Sequence, residues 1–333
     1  MLKSAAFAVE PVANLQLALG IELCVLPPYL YALWSIKPAS EGASVAAGEA
    51  ANILRSVIYE EMLHASLAAN VISSLGAAPH FMAHLMRYPG PLPGHVATGP
   101  YAFDVSLAPL SPQTIATFLR IEAPEWAPPE AGAAAEGWIT LGAFYTGVMQ
   151  QLRGLPPESF GKGPQMAAQH NPGPGRLLAV SDLASALAAI ETIIDQGEAH
   201  APPKIVGDDQ SFELDADHEV AHYYQFQAIR SYFDASQIDA ASDLYPVIAD
   251  PDARRYTPAQ QAANRHFNRL YTELLATLAS TYATPAPAAF GTPTRLMRGL
   301  THAAAVLRQA GRVPGTPWLA GPTFELVAAN GAR

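Results

Sequence analysis

A chain of 333 residues, 50% hydrophobic and 14% charged, is long and apolar enough to bury a large core, which excludes an intrinsically disordered protein. Its net charge of −10, with no cluster of Lys and Arg, argues against nucleic acid as a partner. A single cysteine, Cys24, excludes an internal disulfide framework and suits a reducing compartment, so a cytoplasmic location is expected.

Residues 12–36 are largely apolar, but Asn14, Gln16 and Glu22 interrupt the run. A membrane span would carry Glu22 into hydrocarbon at a cost of several kcal/mol. No basic segment followed by a small-residue cleavage site appears, so neither a membrane nor a signal peptide is expected. The stretch instead predicts a first helix over 11–36, bent at Pro27-Pro28. Ser44 can cap a second helix that Gly76 would stop. Residues 77–110, which include "YPGPLPGHVATGP", predict a long ordered loop with a short strand at 101–107. Ser111-Pro112 opens a short helix, a Pro/Ala/Gly-rich linker spans 123–137, and a helix fits 138–153. A second Pro/Gly loop covers 154–175, and Ser181 can cap a helix reaching about 198. Helical periodicity returns over 215–233, and Thr257-Pro258 and Thr292-Pro293 open two final helices. No long alternating strand pattern appears. The expected fold is therefore all-α: a helical bundle over 1–235 with long Pro/Gly-rich loops, and a C-terminal helical extension over 236–333 packed on the same domain. The extra helices either cover the bundle or form a homodimer interface.

Carboxylates sit where apolar residues belong. Glu22 falls on the stripe Leu15, Leu19, Leu23, Leu26 of the first helix. Glu61 and His64 interrupt Leu54, Val57, Ile58, Ala65, Ala68 of the second. Glu219 and His222 extend the stripe Tyr223, Phe226, Ile229. A buried unpaired carboxylate is costly, and a pair of divalent cations would neutralise the set. Level agrees with face. Sixteen residues separate Glu22 from Pro38, and sixteen separate Val45 from Glu61, so an antiparallel hairpin sets the two glutamates at one height. By the same argument the helix from 181 should pair with that from 215, which brings Glu198 near Glu219, with Glu191 as second choice. The expected set is Glu22, Glu61-x-x-His64, Glu198 and Glu219-x-x-His222: one Glu from each of two helices and one Glu-x-x-His from each of the other two. Two divalent ions would fill it, iron foremost, manganese or zinc as alternatives.

His218-Glu219-Val220-Ala221-His222 also fits the H-E-x-x-H of zinc peptidases, with His218 and His222 as ligands and Glu219 as base. A third ligand is then missing. "HEVAHYYQFQA" runs into Phe and Gln, the next glutamate is Glu273, and Glu22 and Glu61-x-x-His64 stay unexplained.

The segments "IELCVLPPYLYALWSIK", "EEMLHASLAANVISSLGAAPHF", "YPGPLPG", "IETIIDQGEAH" and "HYYQF" together resemble the ferritin-like domain of the iminophenyl-pyruvate dimer synthase family, over about residues 10–235. The resemblance implies a ferritin-like four-helix bundle with Glu22, Glu61, His64, Glu198, Glu219 and His222 near a metal site. It also implies coupling of two oxidised, amino-acid-derived imines. Relatives carry Gly-Glu-Phe-Tyr where this chain has Gly142-Ala143-Phe144-Tyr145, and QGEG where it has Gln196-Gly197-Glu198-Ala199. Three functions are open at this stage. A di-metal oxidoreductase would act on a small molecule, with Tyr223, Tyr224 or Trp34 relaying electrons. An imine-coupling enzyme would use the long loops to shape an aromatic pocket. A metal-storage protein would need a high-order oligomer.

Overall fold

In the computed structural model, the residues described are 2–3, 8, 10–95, 98, 102–124, 138–166, 176–197, 205–206, 211–212, 220–283 and 291–328. The fold is built on a long antiparallel hairpin of α1 (Pro11–Ser35) and α2 (Val45–Ser74). Ser44 caps α2 by accepting the Ala47 N–H, and Asp243 in turn holds Ser44 at its N–H and hydroxyl. Gly76 ends the turn after α2 at φ +83, a left-handed position that favours glycine.

α1 is long and apolar enough to cross a membrane, but most of its surface is covered by protein. It is apolar all round because it is buried all round. Its polar residues answer the loops laid over it. Gln16 donates to the Ala78 carbonyl at 2.7 Å and accepts the His80 N–H at 2.9 Å, while Asn14 pairs with the backbone of Ala8 and with Gln151. Gly20 is required by the same loop, since a Cβ there would stand 2.4 Å from His84 Cβ. Pro27 and Pro28 lie inside α1 without ending it. Pro28 has no N–H for the carbonyl of Cys24, and the Tyr88 hydroxyl donates to that carbonyl at 2.6 Å instead.

Three helix pairs flank the hairpin. α4 (Leu141–Arg153, capped by Thr140) and α5 (Leu183–Gly197) pack on each other and on α1 and α2. α3 (Pro112–Ile121, capped by Ser111) and α6 (His222–Asp234) form a second pair against α2, with Tyr29, Phe118 and Phe226 interlocked at centroid distances of 4.5 to 5.2 Å. After the single turn α7 (Ala240–Asp243), α8 (Pro258–Ala283) and α9 (Gly291–Gln309) cover the remaining side of α1, where Phe267 and Phe324 pack on Trp34. These last helices share one buried core with α1 and α2.

Several expectations are corrected. α5 takes α4, not the helix after 215, as its main partner, and its N-terminal cap is Asp182, which accepts the Ser185 N–H, not Ser181. The expected strand at 101–107 reduces to one bridge between Gly90 and Val105. The expected helix over 215–233 opens only at His222, since Ala221 has non-helical angles of φ −52 and ψ 147. Short two-residue ribbons, β1 (Leu2–Lys3) with β2 (Trp138–Ile139) and β3 (Ile205–Val206) with β4 (Ser211–Phe212), and single 3-10 turns at Ala39–Glu41, Pro157–Ser159 and Ala253–Arg255 complete the described elements.

Candidate metal centre

The hairpin sets Glu22 and Glu61 at one level, and His64 stands between them, its Nδ1 3.7 Å from Glu22 Oε2 and 3.5 Å from Glu61 Oε2. His222 opens α6 directly across from Glu61, with Nδ1 3.0 Å from Glu61 Oε1 and 3.9 Å from Glu122 Oε2. The two imidazoles lie 5.4 Å apart, 29° from parallel, with Glu61 shared between them. Glu22, Glu61, His64 and His222 are thus brought together from three helices, and all are buried. Ligand atoms of Glu61, His64 and His222 lie within 4.8 Å of one another. Glu198 and Glu219 lie outside the described residues.

Both imidazoles are fixed in the same way. Nε2 of His64 lies 2.9 Å from Gln196 Oε1, and Nε2 of His222 lies 2.9 Å from Glu60 Oε2. These acceptors hold a proton on Nε2 and leave Nδ1 of each ring facing carboxylates. Nδ1 of His222 is buried without a hydrogen-bond partner. A lone pair aimed at carboxylate oxygens is repelled, so either a proton or a cation must sit between them. Two tyrosines hold the outer carboxylates: Tyr145 donates to Glu22 and Tyr29 to Glu122.

The charges follow from this packing. Burial, and then the charge of Glu61, push the Glu22 carboxyl up to about 7, and the same two causes push Glu122 up to about 8. Burial would raise Glu61 too, but the charge of His222 and the close approach of both imidazoles hold it below the ordinary carboxylate range. Burial would lower His64, yet hydrogen bonds to Glu22 and Glu61 raise it to about 10, and Glu61 and Glu60 likewise raise His222. Four carboxylates thus face two imidazoles. Glu22, Glu61, Glu122 and His64 border a cavity with about 20 Å³ of free space, walled by Ile21, Val25, Ile193 and Ile194. That admits an ion or a water-sized group and nothing as large as an aromatic ring.

Sequence reasoning missed Glu122, Glu60, Gln196, Tyr145 and Tyr29. The one signal for Glu122 is weak: it follows Phe118 by four residues on the buried side of the short helix α3. Tyr223 and Tyr224, the expected redox tyrosines, stand edge to face at 5.5 Å on the first turn of α6, half-buried, and neither lines the cavity. Trp34 lies in the apolar core beside Phe267 and Phe324. At the Gly142-Ala143 departure, Gly142 and Tyr145 line the cavity.

Residues 15–231 match the family described as Ferritin-like. Over 221 residues the chain is 28% identical to the 2-imino-3-(indol-3-yl)propanoate dimerase of Chromobacterium violaceum, a match that takes in 57% of this chain and 21% of that protein. The chain therefore spans about a fifth of the length of this relative. A ferritin-like protein from Caulobacter vibrioides has the same fold, with a TM-score of 0.65 at 23% identity over 91% of this chain and 96% of that one. With the matched span covering most of the chain and a helical bundle around buried carboxylates and imidazoles, this chain belongs to the Ferritin-like family.

Proposed function

We propose that this chain is an oxidoreductase-type metalloenzyme that holds two divalent cations bridged by Glu61, iron foremost, with manganese or zinc as alternatives. The reading rests above all on His222, whose Nδ1 is buried, without a hydrogen-bond partner and 3.0 Å from Glu61, while its Nε2 is held by Glu60. Glu22 and His64 would hold one ion, Glu122 and His222 the other, and Glu61 both. Imidazole and carboxylate donors suit iron, manganese and zinc. A bound iron pair supplies two-electron chemistry on a molecule as small as dioxygen or peroxide. The chain's own part is to orient: Glu60 and Gln196 fix the rings, Tyr145 and Tyr29 aim the outer carboxylates, and the isoleucine walls keep bulk water out. Glu198 and Glu219 remain candidate ligands on the sequence argument alone. The single thiol, Cys24, buried in α1, supports a cytoplasmic location.

Metal analysis of protein purified without chelator tests this. The expected result is about two transition-metal ions per chain. Near-zero iron, manganese and zinc, with none taken up on addition, would end the proposal.

A second reading is coupling of aryl-pyruvate imines, favoured by the likeness to the Chromobacterium dimerase. The small free space beside the cluster speaks against an indole in the present arrangement. Incubation with the indole-pyruvate imine, with and without bound metal, decides it: a dimeric product supports coupling, and unchanged imine removes it.

A further inference from the structure

The other face of the α1–α2 hairpin borders a second and much larger cavity, of about 550 Å³, bounded across from the hairpin by α8 and α9. Its walls are mostly apolar side chains. Leu26 and Leu30 come from α1, Met62 and Leu63 from α2, Leu274 and Leu278 from α8. A space of this size with such walls falls in the range of sites for small organic ligands, roughly 300–1,000 Å³. At the metal cluster, on the other face of the same hairpin, the free space is only about 20 Å³.

The rim carries the second observation. Arg55 and Arg298 line the cavity and are exposed, and Arg308 lines it half-buried. The single carboxylate among the lining residues is Glu41, which accepts the Tyr245 hydroxyl at 2.6 Å. Among the described residues none of the three arginines forms an ion pair. The Arg308 guanidinium carbon lies 3.7 Å from the centre of the Tyr245 ring, over its face, and one of its nitrogens donates to the Trp34 carbonyl at 2.9 Å. A guanidinium offers more N–H donors than the one spent on Trp34, and a carboxylate is the planar anion that suits them. Three cations against one anion, at the mouth of an oily cavity in a protein of net charge −10, is a local reversal of charge.

We propose that this cavity binds an amphipathic carboxylate, an elongated apolar body seated between α1, α2 and α8 with its carboxylate at Arg308. The site is separate from the metal cluster, lies on the opposite face of the same two helices, and stands whether or not the cluster binds metal.

Dodecanoate is the probe, with dodecanol as its uncharged counterpart, both measured against the full-length protein by displacement of 1-anilinonaphthalene-8-sulfonate. Saturable binding of one dodecanoate per chain is expected, tighter than dodecanol. Arg308→Gln should weaken dodecanoate roughly tenfold or more and leave dodecanol unchanged. Because Arg308 also braces Trp34, a second variant guards against misfolding: Ala305→Trp, at a half-buried position lining the cavity, should abolish binding of both probes while thermal unfolding stays cooperative and metal content stays as in the unaltered protein. No saturable binding, equal affinity for the two probes, or unaltered binding in the tryptophan variant would each overturn the proposal. So would a concentration-dependent dimer that the tryptophan variant dissociates, since a second copy would then be the occupant.

Discussion

The two faces of the α1–α2 hairpin are made of neighbouring residues and behave as opposites. Glu22 and Leu23, or His64 and Leu63, are adjacent in sequence, yet one of each pair joins a cluster of buried ionisable groups and the other lines an apolar cavity. On the charged face, carboxylates, imidazoles, tyrosines and Gln196 interlock with almost no free volume, because each buried polar group must find a partner. On the apolar face nothing enforces contact, and about 550 Å³ stays open. The contrast shows that directional bonding fixes spacing more strictly than apolar burial does, within one pair of helices.

The contrast can be broken hardest at its polar centre. Glu61→Ala removes the one carboxylate both rings share and should take bound metal from about two ions to near zero, whereas His222→Ala should leave the Glu22–His64 half loaded with about one. Metal content per chain separates these, and equal losses would show that the halves are not independent. Next comes packing. Phe226→Ala, in the closed triad with Tyr29 and Phe118, should cost about 3–5 kcal/mol, while Leu278→Ala, beside existing empty space, should cost nearer 2 kcal/mol by denaturant unfolding. Equal costs would mean that the large cavity is filled in solution. Smaller again is Glu60→Gln, which weakens the grip on His222 and should lower metal affinity by about 10–100-fold without changing stoichiometry, read by competition with a chelating dye.

The gentlest test is pH. In metal-free protein Glu22, at about 7, and Glu122, at about 8, hold protons that an unfolded chain releases near 4.5. The folded state then binds more protons than the unfolded one, so stability falls as pH rises from about 4.5 to 8. His64, raised from 6.5 to about 10, continues the decline above that range. The lowered Glu61 and Glu60 act the opposite way, but only below about 4.5. The Tm of chelator-treated protein should therefore drop between pH 5 and 8, and saturating metal should flatten the slope. A Tm that rises over this interval would show that the cluster carboxyls are ionised in the apo fold.

Much of the fold was legible because local chemistry and global packing agree. Ser44 and Ser111 cap the helices they precede, and counting residues through the hairpin was enough to bring Glu22 and Glu61 level, whereas the helix expected from 138 starts only at Leu141, after the strand Trp138–Ile139. The site was legible only where a polar group interrupts a long apolar stripe. Glu122 sits one residue past a ten-residue helix, where periodicity has few turns in which to show itself. Gln196 and Glu60 serve through hydrogen bonds to imidazoles far away in sequence, and spacing carries no trace of such pairings. Tyr223 and Tyr224 follow His222 directly in sequence. In a helix, neighbours one and two residues on point elsewhere.

The Tyr31 hydroxyl of α1 donates to the Ile248 carbonyl, and Gly321 lies so close to that ring that a methyl group there would stand 1.9 Å from the tyrosine oxygen. Asn264 and Asn268 fasten the same tail through Thr323, and Leu319 bridges it to Val247. The stretch recognised as the family's own stops at residue 231, but the hairpin it contains is clamped from behind by chain that follows. A fragment trimmed at that border would bare an oily gutter along α1, and should be recovered from expression as inclusion bodies. Anyone grafting this bundle elsewhere should move the scissors beyond Phe324.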